Sequence, residues 1–179
     1  FTKRTIRDED SGPDSFYPGF IFSIDIDRDG DIDLLTTCNQ TDKVELYENN
    51  GSQIFTALTI SSDLEEPYTV HAEDMDNDGD IDVIASAQNS SSIILFENNG
   101  SQNFTANNIT HSLSSPTGSF PIDIDRDGDF DLVVGGGDGA AWYENTTTHP
   151  GSPNSFVPNT INTNELTYRS VYAEDIDQD

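Results

Sequence analysis

Positive charge is scarce in this 179-residue sequence, in which 7 Lys and Arg face 34 Asp and Glu for a formal net charge of −27. So few cations cannot neutralise phosphates in number, which excludes a nucleic-acid-binding protein. Long apolar runs are also missing, so no segment could span a bilayer. Cys38 is the only cysteine. No internal disulfide can form, and we expect a buried thiol rather than a reactive one.

Apolar residues make up only 33% of the chain, yet they fall in short clusters rich in Ile, Val, Leu, Phe and Tyr. Disordered acidic tails lack such clusters, so we predict a folded chain rich in β-structure. The sequence begins at Phe1 with neither Met nor an apolar signal region. We therefore expect a processed or partial chain whose targeting segment lies elsewhere.

The chain repeats itself. The nine residues Asp25–Asp33 have Asp at every odd position and Gly at the sixth, and the same pattern returns in Asp74–Asp82 and Asp123–Asp131 and begins again at Asp175. The starts of these motifs are separated by 49, 49 and 52 residues. A second landmark keeps the same step, because Glu-Asn-Asn-Gly-Ser at 48–52 recurs at 97–101. The repeating unit is therefore about 50 residues long.

Each unit contains four short β-patterned runs, which in the second unit predict strands at Tyr68–Glu73, Ile81–Ala87, Ile93–Phe96 and Phe104–Ile109. These runs have the length of strands and are too short for helices. Asn-Gly pairs between the third and fourth strands predict tight hairpins with positive φ at both central residues. Four-stranded units of this size indicate the blades of a β-propeller.

The predicted fold class is therefore all-β, with about three complete antiparallel blades of β-propeller type and a partial blade at each end. The predicted units are 1–16 (an outer strand at Phe1–Ile6 and a linker), 17–66, 67–115, 116–166 and 167–179 (a truncated blade opening with a strand at Thr167–Ile176). A closed propeller needs roughly four to eight blades. We expect further repeats of a longer chain, or other copies of the protein, to complete the unfinished edges. Head-to-tail completion that does not close would generate a fibre.

The acidic loops hold 18 of the 24 Asp residues. Two carboxylates about 7 Å apart in water repel by ~0.6 kcal/mol, so five of them within nine residues oppose folding unless a cation is bound. Asp at positions one, three and five with Gly at six is the oxygen-ligand arrangement of a Ca²⁺ loop. We expect the seventh residue to bind through its main-chain carbonyl and the ninth through its carboxylate.

The predicted Ca²⁺ ligands are the aspartates of the three complete loops and of the truncated fourth one: Asp25, Asp27, Asp29, Asp31, Asp33, Asp74, Asp76, Asp78, Asp80, Asp82, Asp123, Asp125, Asp127, Asp129, Asp131, Asp175, Asp177 and Asp179. An EF-hand is disfavoured because the twelfth position is Thr36, Ala85 or Val134 where a bidentate Glu is needed. Mg²⁺ is disfavoured because it keeps several waters in a strict octahedron.

The order of these features carries a family resemblance. Asp-x-Asp-x-Asp-Gly-Asp-x-Asp after a short strand, followed by Tyr/Phe-Glu-Asn-x-Gly and a Phe-Thr strand, resembles the FG-GAP/VCBS repeats, the kind that build the β-propeller of integrin α-subunits. The resemblance covers nearly the whole chain. It implies that the Ca²⁺ loop joins the first two strands of each blade, and that the protein is extracellular, as adhesion, surface and carbohydrate-active proteins with such repeats are. A fold of this kind does not by itself specify an activity.

Acceptor sites for N-linked glycans are more frequent than expected. Seven Asn-x-Ser/Thr sequences occur, whereas 15 Asn and 35 Ser or Thr in 179 residues predict about three by chance. This excess favours a secreted glycoprotein. The predicted acceptors are Asn39, Asn50, Asn89, Asn99, Asn103, Asn108 and Asn145.

Residues suited to catalysis are not grouped in the repeats, and we expect no enzyme. His71, His111 and His149 lie at unrelated phases of the repeat and are interpreted as strand or loop residues. Trp142 and Tyr143 align with apolar pairs of the other units, so we predict that they belong to the core. The glycine-rich run at 135–139 lacks the Lys of a phosphate loop and predicts a hairpin.

Three hypotheses follow. The leading one is a calcium-binding extracellular structural or adhesion protein that assembles into a filament or is completed by neighbouring subunits. The second is a carbohydrate-binding module, with glycans as ligands. The third is a fragment of a propeller-type polysaccharide lyase or hydrolase, which would require a His or Tyr base in one cleft.

Overall fold

The computed structural model describes residues 6, 18–109, 113–147, 150–151, 155–162 and 171–173. Twelve β-strands lie within this part of the chain. They are β1 (Phe20–Ile24), β2 (Asp33–Cys38), β3 (Lys43–Asn49), β4 (Phe55–Ser61), β5 (Pro67–Glu73), β6 (Asp82–Ala87), β7 (Ser92–Asn98), β8 (Phe104–Ile109), β9 (Gly118–Ile122), β10 (Asp131–Gly136), β11 (Gly139–Asn145) and β12 (Phe156–Asn162). No helix in the described segments is long and apolar enough to cross a membrane.

The strands form three four-stranded antiparallel sheets, each made of consecutive strands. Blade 1 is β1–β4, blade 2 is β5–β8 and blade 3 is β9–β12, and each falls within one predicted unit (17–66, 67–115 or 116–166). The prediction of an all-β fold with propeller-type blades is confirmed. The predicted strands at Phe1–Ile6 and Thr167–Ile176 fall almost entirely outside the described residues, and the few that are described there (6 and 171–173) are not in a strand.

The predicted strand bounds in blade 2 agree with the observed ones to within two residues. The hairpins between the third and fourth strands differ from the prediction. In blades 1 and 2 each is a five-residue loop closed by a hydrogen bond, from Asn50 N to Ile54 O at 3.2 Å in blade 1 and from Asn99 N to Asn103 O at 3.3 Å in blade 2. Positive φ occurs at Gly51 (76°) and Gln53 (61°) rather than at two successive residues. The reason is the Asn50 side chain, whose Oδ1 accepts hydrogen bonds from the amides of Ser52 and Ile54 and thereby sets a wider turn.

The apolar core lies between the blades, in two clusters. Leu35 and Leu46 of blade 1 belong to the same cluster as Val70 and Val83 of blade 2. The opposite face of blade 2 forms the second cluster together with blade 3, whose Tyr143 is fully buried there. Alternate residues of a strand point to opposite faces, so blade 2 contributes to both clusters. Burying one such Leu or Val side chain contributes roughly 1.5–3 kcal/mol.

A column of aromatic rings crosses the first strands of the three blades and ends at Tyr172. Phe22, His71, Phe120 and Tyr172 each lie three residues before the start of a motif. Their ring centroids are 5.0 Å apart for Phe22 and His71, 5.5 Å for His71 and Phe120, and 5.0 Å for Phe120 and Tyr172. The contacts therefore join residues at equivalent positions of successive repeats.

Candidate metal centres

Each of the three complete acidic motifs forms the loop between the first and second strands of its blade. Loop 1 (25–33) follows β1, loop 2 (74–82) follows β5, and loop 3 (123–131) follows β9, and in each case the ninth residue begins the next strand. The resemblance implied this placement. Because the blades are equivalent, the three loops lie at corresponding ends of their sheets.

The aspartates of each loop hold its backbone in a compact turn. In loop 1 the amide of Gly30 donates to Asp25 Oδ2 at 3.0 Å, Asp29 donates to Asp27 Oδ1 at 3.2 Å, and Asp31 donates to Asp29 Oδ1 at 2.8 Å. Loops 2 and 3 repeat all three bonds. The sixth residue has φ between 97° and 100° in all three loops, a conformation that favours glycine.

The carboxylates at positions one, three and five converge. One oxygen from each lies within 4.8 Å of the others in three groups: Asp25, Asp27 and Asp29; Asp74, Asp76 and Asp78; Asp123, Asp125 and Asp127. The second oxygen at position one is buried without a hydrogen-bond partner in every loop, namely Oδ1 of Asp25, Asp74 and Asp123. A buried carboxylate oxygen without a partner is costly, and three repeats share this feature. The residues therefore fit a cation that binds oxygen ligands.

The seventh aspartate points its side chain away from this group. In blades 1 and 2 its carboxylate packs against the glycine of the loop between the third and fourth strands, since a Cβ added at Gly51 would lie 2.4 Å from Asp31 Oδ2, and one at Gly100 would lie 2.4 Å from Asp80 Oδ2. In blade 3 Asp129 Oδ1 instead accepts a hydrogen bond from Asn77 of loop 2. This orientation is compatible with the predicted use of the main-chain carbonyl.

The ninth aspartate joins its loop to the end of the third strand. Asp82 is 1% exposed, and its two oxygens accept bonds from the amides of Met75 at 3.0 Å and Asn98 at 2.8 Å. Asp33 and Asp131 are fully buried and make the equivalent pairs of bonds. This structural role is not evident from the linear motif. Each oxygen keeps a second lone pair, so binding of the ion by the ninth carboxylate stays a prediction.

Burial raises the pKa values of carboxyl groups in loop 2. The pKa of Asp76 rises to about 6 and that of Asp82 to about 7, in both cases mainly because burial disfavours the charged form. The pKa of Asp74 is also raised, again chiefly by burial. A cation placed next to these carboxyl groups would favour their charged forms.

The remaining predicted residues are placed as follows. Asp175, Asp177 and Asp179 of the truncated motif, together with His111 and His149, lie outside the described residues. Cys38 is buried, as predicted. His71 is packed against three rings, with its pKa lowered to about 4 by burial. Trp142 is partly buried and Tyr143 fully buried, and the glycine run forms the predicted hairpin, with Gly136 paired to Gly139.

Six of the seven predicted glycan acceptors are exposed: Asn39, Asn50, Asn89, Asn99, Asn103 and Asn108. Asn145 differs from them, because it is only 1% exposed and its amide nitrogen donates to Met75 O at 2.9 Å and Phe130 O at 3.1 Å. A sugar on that nitrogen would disrupt both bonds. In this fold Asn145 is a bridge between blades 2 and 3 rather than a glycan acceptor.

These observations define a class of protein, an all-β repeat protein in which each four-stranded blade carries one acidic loop. Residues 25–85 and 74–134 both match the FG-GAP-like repeat family, and together they cover more than half of the chain. The chain therefore belongs to the FG-GAP-like repeat family. No curated protein matches the sequence significantly.

Proposed function

We propose that this chain is a calcium-binding structural or adhesion repeat protein of the extracellular space, whose blades are completed by further repeats or by other copies of the chain. Three lines of support are independent of one another: the chemistry of the loops, the complementarity of the two outer blade faces, and the surface positions of the glycan acceptors.

The observation that carries the calcium proposal is the buried, unpartnered Oδ1 at position one of each loop. It lies beside carboxylates from positions three and five, and together these are hard oxygen ligands in a flexible loop, which suits Ca²⁺ better than Mg²⁺. The ion supplies positive charge that offsets repulsion among the aspartates. Filling three sites would change the formal charge from −27 to −21.

The two outer blade faces support the proposed completion. At the internal junctions, residues two and eight of successive loops share one core cluster: Ile26 with Ile81, and Met75 with Phe130. At the outer faces the matching residues are uncovered. Ile124, at position two of loop 3, is 37% exposed, whereas its equivalents Ile26 and Met75 are 2% and 0% exposed.

The same contrast holds on the far side of blade 1. Ile32, at position eight of loop 1, is 54% exposed, whereas its equivalent Ile81 is 7% exposed. Ile124 and Ile32 thus correspond to the two residues that share a cluster at each internal junction. If the outer face of blade 3 packed head to tail against the outer face of blade 1 of another copy, Ile124 and Ile32 would both be buried. Packing of a further repeat against each face would bury them as well.

The extracellular assignment draws on the family and on the surface. FG-GAP-like repeats are typical of extracellular proteins. Six exposed Asn acceptors are compatible with a glycosylated surface. Sites of about 10⁻⁴ to 10⁻³ M affinity suit extracellular modules. We propose a binding or structural role rather than catalysis. His71 is the one histidine among the described residues, and its ring is packed against three others, so it is not placed to act as an exposed acid or base.

Chelation tests the calcium proposal. We expect excess EDTA to lower the melting temperature measured by circular dichroism, and excess CaCl₂ to restore it, whereas MgCl₂ at the same concentration restores much less. The matched variant replaces position one in all three loops (Asp25→Asn, Asp74→Asn and Asp123→Asn) and should melt at the same temperature with or without Ca²⁺. A wild-type melt that does not respond to EDTA would contradict the proposal.

Light scattering and sedimentation in CaCl₂ test completion by other copies of the chain. We expect concentration-dependent oligomers that Ile124→Ser disrupts. Val157→Ser is the control, because Val157 is 44% exposed on the outermost strand of the same blade. A monodisperse monomer at high concentration would leave further repeats, not copies of this chain, as the completing units.

A further inference from the structure

In loops 1 and 2 the residue at position four reaches toward the following loop. Arg28 of loop 1 places Nη2 3.8 Å from Asp74 Oδ2 of loop 2. Asn77 of loop 2 donates through Nδ2 to Asp129 Oδ1 of loop 3. Both residues have φ near 60° (59° and 58°), as does the equivalent Arg126 (63°). The left-handed conformation at position four thus recurs in all three loops, and in the first two the side chain contacts the following loop.

The two contacts differ in charge. Arg28 carries a positive charge to Asp74, a carboxylate of the candidate metal group in loop 2, and its Nη1 lies 4.0 Å from the Cβ position of Gly79. The ion pair that Arg28 makes within the described segments is with loop 2 and not with its own loop. Asn77 brings no charge to loop 3.

We propose that the residue at position four sets the calcium affinity of the next loop along the chain, and that Arg28 thereby makes loop 2 a weaker site than it would otherwise be. This inference rests on the proposed function. Arg28 lowers the calcium affinity of loop 2 through both the metal-free and the loaded state. It stabilises the negative charge of the metal-free loop, and it repels the ion in the loaded loop. It is a tuning residue and not a ligand.

The expected size of the effect follows from Coulomb's law. A unit charge roughly 6 Å from a divalent ion changes its affinity about tenfold in water, and screening at physiological salt reduces this to about threefold. Arg28 is 55% exposed, so we take the smaller value. The effect should also decrease as ionic strength rises.

The amides of Gly30, Gly79 and Gly128 provide one reporter for each site, because each donates to the position-one aspartate at 3.0–3.1 Å. Their ¹H–¹⁵N signals can be followed by NMR during a CaCl₂ titration of the metal-free chain. In Arg28→Gln we expect the midpoint at Gly79 to fall about threefold, with smaller changes at the other two reporters. Arg28→Lys should leave it near the wild-type value.

Two matched variants complete the test. Lys43→Gln removes the same charge at the far end of blade 1, where β3 begins, and should leave the Gly79 midpoint unchanged. Asn77→Arg introduces into loop 2 the residue that loops 1 and 3 already hold at the same φ, and should raise the midpoint at Gly128. If all three glycines respond to Ca²⁺ but Arg28→Gln does not move Gly79, the tuning role is wrong and the calcium sites stand. If no glycine responds, both proposals fail.

Discussion

His71 should make the stability of the fold depend on pH in a way that a single substitution removes. The imidazole lies among Phe20, Phe22 and Phe120, with ring centroids at 5.4, 5.0 and 5.5 Å. Burial lowers its pKa from 6.5 to about 4. The neutral form is therefore favoured in the folded chain, whereas the unfolded chain takes up a proton near the ordinary pKa.

The magnitude follows from the difference between the two pKa values. Because the folded pKa is lowered, the contribution of neutral His71 to stability is fully present above pH 6.5 and is lost as pH falls toward 4. One pKa unit corresponds to about 1.4 kcal/mol. Between pH 7.5 and 5 we expect a loss of about 2 kcal/mol in the free energy of unfolding.

The assay is urea denaturation across this pH range with saturating Ca²⁺, comparing the wild type with His71→Phe. The repeat supplies this control, because Phe22 and Phe120 occupy the equivalent position in blades 1 and 3. The other titrating groups are common to both proteins and cancel in the difference. If the two stability curves remain parallel between pH 7.5 and 5, the imidazole is not held neutral in the column and the reasoning is refuted.

Three further predictions concern the loops and their neighbours. Gly100→Ala should destabilise blade 2 by about 1–3 kcal/mol in thermal or urea unfolding, because its φ is 75° and the new Cβ would meet Asp80; adding Asp80→Ala should recover only the part due to the clash. Asp82→Asn should lower stability by about 1–3 kcal/mol even in EDTA when the pH is well above 7, where the Asp82 carboxyl is ionised, because the amide group cannot accept from two buried backbone amides, and a loss seen only with Ca²⁺ present would contradict this. After expression in a eukaryotic host, glycopeptide mass spectrometry should find sugar at exposed acceptors such as Asn39 and none at Asn145.

Strand number, order and bounds could be predicted because the sequence pattern is local and repeats. A run such as Ile81–Ala87 contains mainly apolar and small residues and lies between acidic and polar turns, so both its type and its length are set by neighbouring residues. The three converging aspartates of each loop were predictable for the same reason, since alternate positions of a tight turn face one centre.

Features that depend on contacts distant in sequence could not be predicted. The ninth aspartate resembles a ligand in the linear motif, and its bond to a residue 16 positions away in loops 1 and 2 emerges only when the third strand is in place. The five-residue turn was missed because Asn-Gly also suits a two-residue hairpin. Asn145 matches the acceptor pattern as well as Asn39 does, and only the packing of blade 3 on blade 2 removes it from the surface.

The aspartate at position seven of each loop bears on where a foreign peptide could be inserted into this fold. In blades 1 and 2 the turn glycine closes over that carboxylate, so a graft there would pull the turn off its neighbour. In blade 3 that carboxylate instead accepts a hydrogen bond from Asn77 of blade 2. The connection between the third and fourth strands of blade 3, from Asn145 to Phe156, is also longer than in the other two blades. An engineer who wants to display a sequence without loosening an ion loop would choose the third blade.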